Sequence, residues 1–268
     1  MKRTCFTCRL VFCVPATIIF LSFPINAQVI PPKENHLAEH ENYRKCMQLA
    51  RIEPHKGFER ALNWQDHGGA DAATHCAAVA LIYLKRFKEA AIQLETMAQK
   101  MPKSTPNTVR AEIFAQASQA WLDANNPMRA FKVQSAAIEF DPRNAQLFVD
   151  RATIHAEKGR YVDAIKDLNE SLKLQPSFAE ALALRASAHR SAGNMAAARQ
   201  DIISAISIDP THAEALLESG ILMRLAGDKD GARQDWLKLI ELHEGSPAAD
   251  TAKRNLEILD VNTQQSVN

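Results

Sequence analysis

The segment DPRNAQLFVDRATIHAEKGRYVDAIKDLNESLKLQP, residues 141–176, carries its own punctuation. It opens on Asp141-Pro142 and closes on Gln175-Pro176, and a polar residue followed by proline returns at Asp209-Pro210, so Pro142, Pro176 and Pro210 are evenly spaced. Between the first two, Phe148, Ala152 and His155 form one stripe at helical spacing, and Ala164, Leu168 and Ser171 form a second. Lys158-Gly159-Arg160 makes the turn between them. Each stripe is too narrow to hold a helix alone, so the helices must pack on each other and each pair on the next. A period of about 34 residues with this content predicts a helix-turn-helix solenoid.

Alignment on the prolines brings other positions into step. Phe148, Leu182 and Leu216 coincide, as do Ala152, Ala186 and Gly220, and Ala130, Ala164, Ala198 and Ala232. The pattern resembles the tetratricopeptide repeat family, in which small residues let the two helices of a unit approach closely, large apolar residues fill the gaps and proline ends the second helix. The resemblance implies an all-α fold, a right-handed superhelical α-solenoid of tetratricopeptide-type helix-turn-helix repeats.

Four good units occupy residues 111–244, at 111–142, 145–176, 179–210 and 213–244. In the segment 245–260, Ser246 as N-cap and Pro247 at the first helical position start a capping helix, with Ala252, Leu256 and Leu259 on its apolar side. Residues 261–268 are polar and are expected to be a disordered tail. Upstream, residues 42–110 hold degenerate repeats, with Ala78, Phe87, Ala90, Leu94, Met97 and Pro102 in matching order. Pro102 precedes Pro142 by somewhat more than one period, and Thr105-Pro106 is placed to start a longer first helix. A weaker pair is expected at 42–66, with Phe58 and Ala61 on its second helix, and residues 28–41, with Pro31-Pro32, are expected to be a flexible leader.

Residues 1–27 are expected to be a signal peptide. Lys2, Arg3 and Arg9 precede a mostly apolar run from Leu10 to Phe23, Pro24 breaks it, and Ala27 marks the expected cut. The alternative, an uncleaved anchor, needs about 18 or more apolar residues, and Pro15 interrupts this run. The expected location is therefore periplasmic or secreted, with no membrane span after cleavage. Cys5, Cys8 and Cys13 leave with the signal, and the remaining Cys46 and Cys76 are most simply a disulfide in an oxidising compartment, the alternative being two buried free thiols. A loop of this length stabilises by roughly 3 kcal/mol on chain-entropy grounds. The resemblance sets both cysteines on first helices of adjacent units, which neighbour each other in that family's stacking.

Composition restricts function. The 268 residues are 46% hydrophobic, enough for a packed core, and only 9 Gly accompany long runs of good helix formers. There are 32 basic and 31 acidic residues, and loss of Lys2, Arg3 and Arg9 leaves 29 against 31, so the basic surface that nucleic acid needs is not expected. No glycine-rich phosphate loop, Gly-x-Ser-x-Gly, His-Glu-x-x-His or Ser-x-x-Lys occurs, so no enzymatic activity and no cofactor are expected. His36 and His40 have the spacing of metal ligands on a helix, but no third and fourth ligand is placed nearby, and a solvated leader is the simpler reading. His75 and His155 fall on first-helix stripes and are read as packed imidazoles. Trp121 and Trp236 align with interior positions and are read as core rather than stacking platforms, and Trp64 lies in too degenerate a unit to assign.

Members of the resembled family commonly bind a peptide or helix along a concave surface lined by the first helices. The positions that match here include Glu112, Gln119 and Asp123, then Gln146, Thr153 and Glu157, then Glu180, Ser187 and Arg190, then Glu214 and Arg224. One branch of that family grips C-terminal carboxylates with lysines and asparagines on this surface, and the matching positions here hold neither. The row grades from acidic and amide-rich to apolar with two arginines, so the expected partner is a protein of the cell envelope presenting an amphipathic segment with a basic end.

Overall fold

The computed structural model describes residues 41–265, with side chains as far as Asp260. The expected signal peptide, nearly all of the leader, and His36 and His40 lie outside the described residues. Among the described residues there are thirteen helices and no strand. They are α1 (Glu41–Ile52), α2 (Pro54–Asp66), α3 (Ala70–Tyr83), α4 (Phe87–Lys100), α5 (Asn107–Asp123), α6 (Pro127–Phe140), α7 (Ala145–Glu157), α8 (Tyr161–Leu174), α9 (Ala179–Ser191), α10 (Met195–Ile208), α11 (Ala213–Leu225), α12 (Lys229–Leu242) and α13 (Pro247–Gln265). Odd and even helices pair within each unit, and α1 packs on α3, α7 on α9, α9 on α11 and α11 on α13. The result is a solenoid with an inner row of odd-numbered helices and an outer row of even-numbered ones.

The turn inside each of the five units from α3 to α12 follows from one backbone conformation. Gly159, Gly193 and Gly227 occupy the left-handed region at φ 69°, 85° and 88°, and Asn125 and Lys85 hold the corresponding place upstream at φ 56° and 61°. Glycine enters this region without a Cβ clash, whereas for other L-residues it costs about 1–2 kcal/mol, asparagine less than most. The next helix is then capped by a side chain in three units: Asn126 accepts from the Arg129 N–H, Asn194 from Ala197 and Asp228 from Gly231. Arg160 stands at the same place before α8 and makes no such cap. Ser246 accepts from the Ala249 N–H and so starts α13. That helix runs to Gln265, past the expected end at residue 260, because 261–265 contain no Gly or Pro to stop it.

The core lies between the two rows. Ala90, Ala130, Ala164, Ala198 and Ala232 are fully buried where paired helices approach most closely. Across the same interface volumes compensate: Ala152 is paired in register with Leu168 and Ala186 with Ile202, whereas Gly220 stands against the buried ring of Trp236. A Cβ on Gly220 would lie 2.3 Å from Trp236 Nε1. Trp121 is buried as well, and its Nε1 donates to Glu95 Oε2 at 2.9 Å, which also takes the Arg129 guanidinium. Cys46 and Cys76 form a disulfide with Cα atoms 6.1 Å apart, tying α1 to α3.

Arginines repeat along the solenoid with the same period. Arg151 makes paired hydrogen bonds to Asp167 (2.7 and 2.8 Å) and reaches Ser135, and Arg185 does the same with Asp201 (2.7 and 2.9 Å) and Asn169. Each arginine therefore bridges its own unit and the one before it. In the next unit Ser219 replaces the arginine, and Asp235 Oδ2 is left buried without a hydrogen-bond partner.

Candidate binding groove

The residues expected to line the groove all lie on odd-numbered helices, and two of those helices open a cavity between them. Thr153, Ala156 and Glu157 of α7, Tyr161 and Leu168 of α8, and Leu184, Ser187 and Ser191 of α9 enclose about 120 Å³. That is the volume of roughly four liquid waters, or of a branched aliphatic side chain. Its walls are small because the repeat places Ala152, Ala156, Ala164 and Ala188 there. Val149 of α7 and Ala183 of α9 are buried in helix packing and present little surface.

One helical turn before the cavity-lining Thr153 and Leu184, α7 and α9 carry the acids Asp150 and Glu180. Gln146 and Gln134 donate to Asp150 at 2.9 and 3.3 Å, and Glu180 of α9 lies within electrostatic reach of Asp150, Glu214 and His212. Burial raises the Asp150 carboxyl above the usual aspartate range, against the two amide hydrogen bonds. Burial likewise raises Glu180, and the neighbouring Asp150 and Glu214 add to it. Glu157 lines the cavity and is exposed, and Glu112, Asp123 and Glu214 are exposed elsewhere along the row. Among the described residues none of these six carboxylates is ion-paired to a Lys or Arg; Asp123 takes a hydrogen bond from Gln119, and His212 stands 3.6 Å from Glu214.

The expected basic end is weaker than its two arginines suggest. Arg190 is drawn into an ion pair with the buried Glu218 of α11, one hydrogen bond of which spans 3.1 Å, so its charge is neutralised inside the stack. Arg224 occupies the corresponding place one unit on, where the next inner helix offers Ala252 instead of a glutamate, and it has no ion-pair partner among the described residues. At the opposite end of the row Tyr43, His75 and Gln116 join three inner helices. The Tyr43 hydroxyl lies 2.6 Å from His75 Nδ1, and His75 Nε2 donates to Gln116 Oε1 at 2.7 Å, a pair of contacts that the neutral imidazole satisfies with Nδ1 accepting from Tyr43. Burial lowers the His75 pKa in the same sense.

Asp150, Leu184 and Glu218 do not figure among the expected groove residues. They share one repeat position with Gln116, four residues after the Glu112, Gln146, Glu180 and Glu214 row, and that i,i+4 relation is the signal that points to them. His155 is buried with its ring edge-on to Phe131, as its stripe implies.

A family model described as tetratricopeptide repeat matches residues 149–211. No curated protein matches the sequence. Similar solved structures include PilW, described as a widely conserved type IV pilus biogenesis factor, which is 19% identical over 79% of this chain and 98% of that chain, with a TM-score of 0.61. PilF of Pseudomonas aeruginosa is 16% identical over 80% and 98%, at 0.58. MamA of Desulfovibrio magneticus RS-1 is 17% identical over 67% and 98%, at 0.53. At such identities the likeness is one of fold. Helix pairs that recur in register along the described residues make this chain an α-solenoid, and the part of it at residues 149–211 matches the tetratricopeptide repeat model.

Proposed function

We propose that the chain is an exported adaptor or scaffold, periplasmic or secreted, that holds a protein partner in the concave groove of its odd-numbered helices and carries out no covalent chemistry. The observation that carries this reading is the cavity between α7, α8 and α9, which lies along a row of acids, Glu112, Glu157, Glu180 and Glu214, that have no Lys or Arg partner among the described residues. Export is supported by the charge and apolar pattern of residues 1–27 and by the Cys46–Cys76 disulfide, a bond that persists in oxidising compartments. An exported adaptor meets its partner in the cell envelope. Photo-crosslinking in the native host tests the reading, with the reactive residue at Gln119 or Thr153 and, as control, at Lys173 on the outer helix α8. Protein adducts from the groove positions alone support it; adducts equally frequent from Lys173, or none from the groove, overturn it.

A second reading, a module for a non-protein ligand such as a cell-wall glycan, has one observation in its favour. Trp64 is half-buried in a cleft with Asn42, Arg60, Asn63 and His67, a ring beside several hydrogen-bonding groups. Change of Trp64 fluorescence on titration with cell-wall oligosaccharides, abolished in Trp64→Ala, would favour it over the adaptor.

A further inference from the structure

The charge and shape of the α7–α9 cleft define the kind of segment it accepts, given that the groove binds protein. We infer that its occupant is an extended cationic segment of the partner, one small aliphatic side chain entering the cavity and Lys or Arg on both sides reaching Asp150 and Glu180 at one end and Glu157 at the other.

Three observations converge on this. The cavity is apolar in its depth, with Ala152, Ala156 and Leu184 among its walls, and its size suits a Val or Leu side chain but not an indole. Its surroundings are anionic: Glu157 lines it, and Asp150 and Glu180, within electrostatic reach of each other, stand one helical turn before the lining residues Thr153 on α7 and Leu184 on α9. From Asp150 to Glu157 is about 10 Å along the helix, which three residues of extended chain cover, so the basic residues fall within two positions of the aliphatic one.

The third observation is that, among the described residues, no Lys or Arg is ion-paired to Asp150 or Glu180. Elsewhere the solenoid neutralises most of its buried or partly buried acids, Asp235 excepted: Glu95 with Arg129, Asp167 with Arg151, Asp201 with Arg185 and Glu218 with Arg190. Asp150 and Glu180 lose hydration without that compensation, and both carboxyls are raised by burial as a result. A cation from outside supplies what the fold omits. Glu112, Asp123 and Glu214 extend the same sign along the row, which steers a basic segment toward the cleft and makes its capture sensitive to salt.

The experiment is a random-peptide selection on the full chain, followed by fluorescence anisotropy of the enriched peptides against the full chain, the Asp150→Asn/Glu180→Gln double variant and Ser187→Leu, whose side chain is of the size that fills the cavity. Circular dichroism establishes that each variant is folded. Enriched peptides are expected to carry Lys or Arg within two positions of Val, Ala or Leu, to lose at least about tenfold in affinity to either variant, and to stop binding when their basic residues are changed to Glu. Enrichment of neutral or acidic peptides that bind in the groove overturns this inference and leaves the adaptor reading standing. Basic peptides whose affinity is the same for both variants overturn it too, and an absence of any groove-dependent peptide binding counts against both.

Discussion

Gly220 illustrates how much one residue decides in a repeat protein. Its equivalents are Ala152 and Ala186, and the alignment alone presents it as one more small residue. The reason for glycine is Trp236 in the facing helix, fully buried, with Nε1 donating to the Leu217 carbonyl at 3.2 Å. Gly220→Ala drives a Cβ into the indole and is expected to lower stability by about 1–2 kcal/mol, the overpacking cost less the helix-propensity gain of alanine. Equilibrium urea unfolding measures it. In a double-mutant cycle, Gly220→Ala should cost less in a Trp236→Leu background, which recreates the Ala152–Leu168 pairing; an unchanged cost would refute the steric explanation.

Between elements, the arginine bridges define which units are tied most firmly. Asp167 is held by Arg151 across α7 and α8, with both side chains largely sheltered from water. Asp167→Asn is expected to lower stability by about 2 kcal/mol, less than a fully buried pair because Arg151 keeps some solvent access. Asp235 occupies the same place two units later, but Ser219 stands where the arginine would be and its Oδ2 has no partner. Asp235→Asn is therefore expected to change stability by no more than about 0.5 kcal/mol. Thermal unfolding of the two variants side by side checks the contrast, and equal losses would show that the arginines are not what matters. The period of Arg151 and Arg185 and of Asp167, Asp201 and Asp235 is visible in the alignment, so this ladder is legible in the sequence. The turn of Arg190 toward Glu218 on another unit is not, because it depends on the separation and rotation of two inner helices.

Over the whole molecule, stability is the sum of units and their interfaces, so a local change should remain local. Reducing Cys46–Cys76 removes a constraint on α1 and α3 alone and is expected to destabilise that end by about 3 kcal/mol. Hydrogen exchange with and without reductant should accelerate in α1–α3 and stay unchanged in α7–α12; a uniform acceleration would contradict the additive picture. Acid acts on the same end and the centre. His75, His155 and His189 are all lowered by burial below the ordinary histidine value near 6.5, so the folded protein excludes protons that the unfolded chain binds. Their contribution is complete above about pH 6.5 and is lost as pH falls through the folded values. Asp150 and Glu180 run the other way, since a raised carboxyl contributes below its unfolded value and loses that contribution as pH rises through the folded one. The urea midpoint is thus expected to fall between pH 7 and the lowered histidine values, and a midpoint that rises over this interval would refute the neutral assignment of His75.

Linear spacing alone establishes the class of fold, the small residues at the helix crossings, and the shared repeat position of Glu112, Gln146, Glu180 and Glu214. All of these are local periodicities, about 3.6 residues within a helix and about 34 between units, and the order of residues along the chain carries them completely. Three-dimensional packing is what parts α7 from α9 to leave a cavity, brings Asp150 and Glu180 within electrostatic reach of each other, and neutralises Arg190 with Glu218 while leaving Arg224 unpaired among the described residues. Those outcomes depend on how far one inner helix stands from the next, which is set by side-chain volumes packed across units and not by any spacing along the chain.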